Sequence, residues 1–223
     1  MGNATSSARY PLHQAVHRDE ATALESLLAT CNDVDAPHPV QGSALSLACE
    51  LGRAGCAAIL LDGGAAVDGS GSGSPPLCTA CLHGHEDCVK ALLAHGARLH
   101  QPDASGFCPL FMAAEYGHAG CVGLLLAYRA NPEQSDADGV TPLYIACQEG
   151  WPKVARALLA AGAECNRPLP DAESEGRTPI FVACANGHEA CVQVLLEHGV
   201  PAGQVSCRQH ERPYSPACSS LRV

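Results

Sequence analysis

The sequence predicts an all-α fold, a solenoid of stacked helix-turn-helix units joined by short β-hairpin loops. Three observations lead there. A frame of about 33 residues recurs along most of the 223-residue chain. Aromatic residues supply only 4% of it, against 47% hydrophobic in all. A core of Ala, Leu, Val and Cys suits thin layers of short helices better than a sandwich filled by large side chains. Glycines recur at two fixed places in the frame, as stops for a first and then a second helix.

The copies follow in order. A worn first copy runs from Tyr10-Pro11-Leu12-His13 through Ala15 to Leu27-Leu28. The second has Ser43-Ala44-Leu45, then Ile59-Leu60-Leu61 and Gly64-Ala65. The third has Pro75-Pro76-Leu77-Cys78, Gly84-His85, Ala91-Leu92-Leu93 and Gly96-Ala97. The fourth has Cys108-Pro109-Leu110-Phe111, Gly117-His118 and Leu124-Leu125-Leu126. The fifth opens at Thr141-Pro142-Leu143, with Gly150, Ala157-Leu158-Leu159 and Gly162-Ala163 behind it. The sixth opens at Thr178-Pro179-Ile180, followed by Gly187-His188, Val194-Leu195-Leu196 and Gly199. The starts at 10, 43, 75, 108, 141 and 178 are separated by 33, 32, 33, 33 and 37 residues. Proline at the second slot fits the first helical turn, where its missing N–H would be unpaired anyway. The leucine pairs sit on the second helix and bury against neighbouring copies. No copy covers its own apolar face, so stability comes from stacking.

A period of about 33 with a T-P-L-H-x-A opening resembles the ankyrin-repeat family over residues 10–203. The resemblance implies projecting hairpins with tips at Asp103-Ala104-Ser105-Gly106, Asp136-Ala137-Asp138-Gly139 and Glu173-Ser174-Glu175-Gly176. Two links depart from the pattern. Residues Pro168 to Ala172 lengthen the last hairpin, and Gly69 to Ser74 alternate glycine with serine, a flexible composition. Residues 1–9 read as a flexible N-terminal tail. Residues 204–223 lose the repeat, carry Pro213 and Pro216, and read as a disordered C-terminal tail.

The 14 cysteines need no disulfide framework. Cys49, Cys81, Cys147 and Cys184 share one slot of the frame, and Cys56, Cys88, Cys121 and Cys191 another, as small core hydrophobes. Cys78-x-x-Cys81, with His83, His85 and Cys88 behind it, has zinc-like spacing. The same slots are filled alike in copies without the Cys-x-x-Cys pair, so no metal is expected. His85, His118 and His188 follow the turn glycines as the family pattern has them. No nucleophile–base grouping and no phosphate loop stands out, which predicts a chain that is not an enzyme and needs no cofactor.

The resemblance implies a protein partner held on the concave face and hairpin tips. The solvent-facing pairs at the ends of the first helices are Glu50 and Leu51, Leu82 and His83, Glu115 and Tyr116, Gln148 and Glu149, and Ala185 and Asn186. These slots are not needed for stacking and are free to serve binding. Leu51, Leu82 and Tyr116 form an apolar stripe, which Phe107 and Val140 continue on the hairpins. Trp151 fills the slot usually held by His, either as a packing cap or as an exposed anchor. Glu115, Asp136, Asp138, Glu149 and Glu175 point to a basic partner segment, or to a solvated surface.

A formal net charge of −10 with two lysines, Lys90 and Lys153, argues against nucleic acid. No apolar run approaches the roughly 18 residues of a membrane span. The N-terminus has no signal-peptide pattern, which predicts a cytoplasmic or nuclear protein with reduced thiols. Gly2 with Ser6 matches an N-myristoylation pattern, and one such chain would give weak, reversible membrane contact. The cysteine-rich helix slots are also similar to ankyrin proteins that carry a SOCS box and recruit substrates to ubiquitin ligases. Such a box needs a further Leu- and Pro-patterned helical segment, for which the residues after 203 are too few.

Overall fold

The structure is a computed structural model that describes residues 10–39, 42–69, 73–170 and 177–201. The lipidation candidate Gly2, the tails 1–9 and 204–223, positions 70–72 of the Gly-Ser link and positions 171–176 lie outside the described residues. With them go part of the long last hairpin and its acidic tip residue Glu175.

Among the described residues, twelve short α-helices come in six pairs. They are α1 Pro11–Arg18, α2 Ala21–Leu28, α3 Ala44–Glu50, α4 Ala54–Asp62, α5 Pro76–His83 and α6 Glu86–Ala94. Then follow α7 Pro109–Glu115, α8 Ala119–Ala127, α9 Pro142–Glu149, α10 Pro152–Ala160, α11 Pro179–Ala185 and α12 Glu189–Glu197. The chain forms two compact units, Met1–Pro109 and Leu110–Val223. In the first, α1 packs on α3 and α3 on α5, while α2 packs on α4 and α4 on α6. In the second, α9 packs on α11, α8 on α10 and α10 on α12. First helices thus stack on first helices, and second on second.

Local chemistry sets where each helix begins. Before α9, extended Thr141 accepts the Tyr144 N–H at 3.2 Å, and Pro142 takes the first helical position. Thr178 caps α11 through the Phe181 N–H and Ser43 caps α3 through the Ser46 N–H. Hydroxyl caps of this kind satisfy backbone donors that the first turn leaves over. Each second helix buries one leucine fully, Leu24, Leu60, Leu92, Leu125, Leu158 and Leu195, and the first helices add Leu45, Leu47, Leu77, Leu110, Leu143 and Ile180. The eight cysteines of the two repeat slots are buried among them as free thiols. Phe111 and Tyr144 are buried as well, and Phe181 is half-buried.

Strand content is smaller than hairpins would give. Among the described residues the only bridge is the antiparallel pair His38 and Gly42. Two described tips, at Asp103 and Asp136, close on the aspartate side chain. The Asp103 carboxylate accepts from the Ser105 and Phe107 N–H groups, and Asp136 accepts from those of Asp138 and Val140.

The second-helix stop has a left-handed residue in the five later copies, glycine in four and Arg129 in the fourth, at φ 68°. An L-residue there costs about 1–2 kcal/mol, less what glycine loses in chain entropy. Arg129→Gly is therefore expected to raise unfolding stability by about 0.5–1 kcal/mol in urea. An unchanged or lower midpoint would contradict this.

The first copy carries a buried histidine. His13 is 4% exposed, and its Nε2 donates to the Gly42 carbonyl at 2.9 Å. The rings of Tyr10 and His38 lie 5.9 and 5.3 Å away. Burial lowers the His13 pKa, opposed by the Gly42 bond and helped by repulsion from His38 and His17. A histidine depressed in the folded state contributes fully above its unfolded value of about 6.5, and that contribution falls as pH drops through it. The thermal midpoint should decline from pH 7 to 5.5, and decline less in His13→Gln. Equal slopes would remove His13 from the explanation.

Candidate protein-binding surface

In the second unit, three first-helix ends present the residues singled out above. Tyr116 is 49% exposed, and its ring stacks on His118 at 6.5 Å and 14°. Glu149 is exposed and accepts from Gln148 Nε2 at 3.1 Å. Glu115, Gln148 and the hairpin residue Val140 are half-buried, and Asn186 is exposed. In the first unit Leu51 is 36% exposed and His83 is exposed, its ring 5.9 Å from His85. Leu82 and Phe107 are half-buried.

The slots expected to be free of stacking are not all free. Asn186 Nδ2 donates to the Gln148 carbonyl at 2.9 Å, and His188 Nε2 donates to the same oxygen at 2.9 Å. His85 Nε2 likewise donates to the Glu50 carbonyl at 3.1 Å. The end of each first helix exposes carbonyls that no later turn can satisfy. The next copy supplies their donors, so part of this face does structural work.

Trp151 performs the histidine's task with a larger ring. Its Nε1–H donates to the Glu115 carbonyl at 2.9 Å. A β-carbon at Gly117 would come within 2.5 Å of the indole, just as one at Gly150 would meet the His188 ring or one at Gly52 the His85 ring. The turn glycines are thus required twice, for their positive φ and for the ring laid against them. Trp151 caps the packing of the preceding copy and keeps 39% of its surface exposed.

The acidic residues divide. Asp136, one of the acids expected to meet a basic segment, accepts two backbone N–H groups on one carboxylate oxygen, Oδ1. Asp138 and Glu149 are exposed. A further set went unread in the sequence: Asp35 accepts the Ala66 N–H, Asp68 the Arg98 N–H and Glu133 the Glu164 N–H, each one copy further on. Arg98 and Arg167 then pair with Asp68 and Glu133 at 3.1 and 3.0 Å. An acid some thirty residues before the position that follows each Gly-Ala stop was the available signal.

The repeat-slot cysteines are buried in the core. The Cys78 thiol points at the carbonyls of Gln101 and Phe107, and burial above all pushes its pKa up to about 12. Cys56 is pushed up to about 11 by burial and by its hydrogen bond to Asp19. The Cys49 and Cys88 thiols share a hydrogen bond, as do Cys147 and Cys191. That bond, together with burial, raises the pKa of Cys49 and Cys147, and against burial it lowers that of Cys88 and Cys191. Cys49, Cys56, Cys78 and Cys147, held protonated, are poor nucleophiles and poor metal ligands. Among the described residues no three His, Cys, Asp or Glu side chains converge as a metal site. No helix among them is long and apolar enough to cross a membrane.

Models of ankyrin repeats match residues 12–103, 96–169 and 145–196. Among curated proteins, Ankyrin repeat and SOCS box protein 11 of Homo sapiens and of Pongo abelii is 33% identical over 94 residues. Those residues are 42% of this chain and 29% of those proteins. The Danio rerio protein of the same name is 38% identical over 87 residues, 39% of this chain and 30% of its own. The match therefore spans less than a third of the length of these relatives. Among solved structures, the human ASB11 ankyrin repeat domain superposes with a TM-score of 0.74 at 31% identity, covering 87% of this chain and 86% of that one. An ankyrin repeat domain from Acinetobacter baumannii gives 0.75 at 29% identity, covering 86% and 99%. The Bcl-3 ankyrin repeat domain gives 0.77 at 24% identity over 86% and 87%, a likeness of fold.

Proposed function

The chain belongs to the ankyrin-repeat family of protein-interaction modules, and we propose that it is a non-catalytic adaptor. It holds a protein partner against the first-helix ends and hairpin tips. The observation that carries this reading is Tyr116, a large ring half out in solvent at the end of a helix whose other residues are mostly core. A rigidly mounted exposed aromatic with a polar rim is the usual make-up of a binding hot spot. The exposed acids Glu149 and Asp138 of the same unit favour a basic segment of the partner.

The test compares affinity capture by Glu149→Lys and by Leu51→Ala/Leu82→Ala, one variant for each unit, with capture by the unaltered chain. Loss of a wild-type partner in the Glu149→Lys lane, and its release by raised salt, is the expected result. Partner sets identical in all lanes would remove the first-helix ends from the function.

A second reading is favoured by the similarity to Ankyrin repeat and SOCS box protein 11. In it, the captured partner is a substrate delivered to a ubiquitin ligase. Depleting this protein should then lengthen the partner's half-life, and an unchanged half-life argues for simple scaffolding.

A further inference from the structure

The histidine slot of the repeat sets a standard against which Trp151 is oversized. His85 and His188 each make the ring N–H bond to the preceding copy and rest on the turn glycine with an imidazole alone. Both remain half-buried. Trp151 makes the same bond and the same glycine contact, and its extra ring leaves it 39% exposed. Stacking does not need that added surface. One face of the indole is covered by Gly117, so the exposed area lies away from it. Tyr116 sits between Glu115, whose carbonyl takes the indole N–H, and Gly117, on which the ring rests. Two residues before Trp151, across Gly150, stands the exposed carboxylate of Glu149.

We propose that Trp151, with Tyr116 and Glu149, forms a seat for a cationic side chain, an arginine or lysine of the partner's basic segment. The inference rests on the adaptor reading above and names the chemistry of its contact. Aromatic faces carry negative potential and attract guanidinium and ammonium groups. A neighbouring carboxylate adds charge of the same sense, and the whole chain is acidic at −10. An aliphatic anchor would gain nothing from Glu149, so an exposed carboxylate two residues from Trp151 in the chain favours a cation over an apolar residue.

Trp151 is the only tryptophan in the chain, so its emission reports this seat directly. The probes are a ten-residue Gly/Ser peptide carrying four arginines and its counterpart with neutral citrulline. A saturable change in emission with the arginine peptide, and little with citrulline, is expected. In Trp151→His, which keeps the N–H bond and the glycine contact, a fluorescein-labelled arginine peptide should bind about five- to thirtyfold more weakly, with the thermal midpoint preserved. Glu149→Gln, on the open surface, should weaken it several-fold without any change in folding. Equal binding of the citrulline peptide, or undiminished binding by both variants, would overturn the cation seat. If the arginine peptide does not bind while Glu149→Lys still loses a captured partner, the cation seat falls and the adaptor reading stands. If the arginine peptide binds but every variant captures the same partners, it is the adaptor reading that falls.

Discussion

Leu125→Ala is expected to destabilise the protein by about 2–5 kcal/mol in urea unfolding. Leu125 is fully buried in α8, which packs on α10, and one equivalent leucine stands in every other second helix. Removing it loses the transfer energy of the isobutyl group and leaves a cavity that cannot close. The layers around it are held by side chains of fixed length and by carbonyl bonds between copies. A cost under 1 kcal/mol would mean that α8 and α10 do not pack as described.

Gly150→Ala is expected to cost about 2–5 kcal/mol, although it adds only a methyl group. Left-handed backbone at φ 79° accounts for about 1–2 kcal/mol of it. The displaced His188 ring, 2.5 Å from the new carbon, accounts for about 1–3 kcal/mol more. Gly96→Ala separates the two contributions. Gly96 has φ 82° and nothing within 4 Å of an added carbon, so only the backbone cost of about 1–2 kcal/mol remains. Equal losses at the two sites would show that the ring does not press on the turn.

The fold was legible because its signals repeat. Proline at the helix start, glycine at both stops and a leucine pair on the second helix recur at one period, and each has a local physical reason. The cysteine slots followed from the same alignment. What stayed hidden lies between slots. Aligning Glu50 with Glu115 and Gln148 identifies a common position but not that its carbonyl receives His85, Trp151 or His188. These bonds join residues 35 to 40 apart in neighbouring copies, a spacing that a period of about 33 does not reveal. The acids Asp35, Asp68 and Glu133 escaped for the same reason, and so the acidity was assigned wholly to solvent and partner. Trp151 broke the histidine pattern, and that break marks where surface exceeds what folding requires.

Of the first-helix ends expected to face solvent, Glu50, Leu51, His83, Tyr116, Glu149, Ala185 and Asn186 are exposed. Exposure was overestimated at Leu82, Glu115 and Gln148, which are half-buried. Asp19 at φ 59°, in the turn where later copies have glycine, shows the same limit. Its carboxylate is engaged by Arg53 at 3.2 Å and by the Cys56 thiol, contacts with the following copy that its own sequence neighbourhood does not contain.

One preparation of Tyr116→Ala, measured for both urea stability and captured partners, tests the binding surface most directly. A side chain 49% exposed should cost no more than about 0.5 kcal/mol, while a partner held by the wild type is lost. A stability loss as large as that of Leu125→Ala, or an unchanged set of partners, would contradict it.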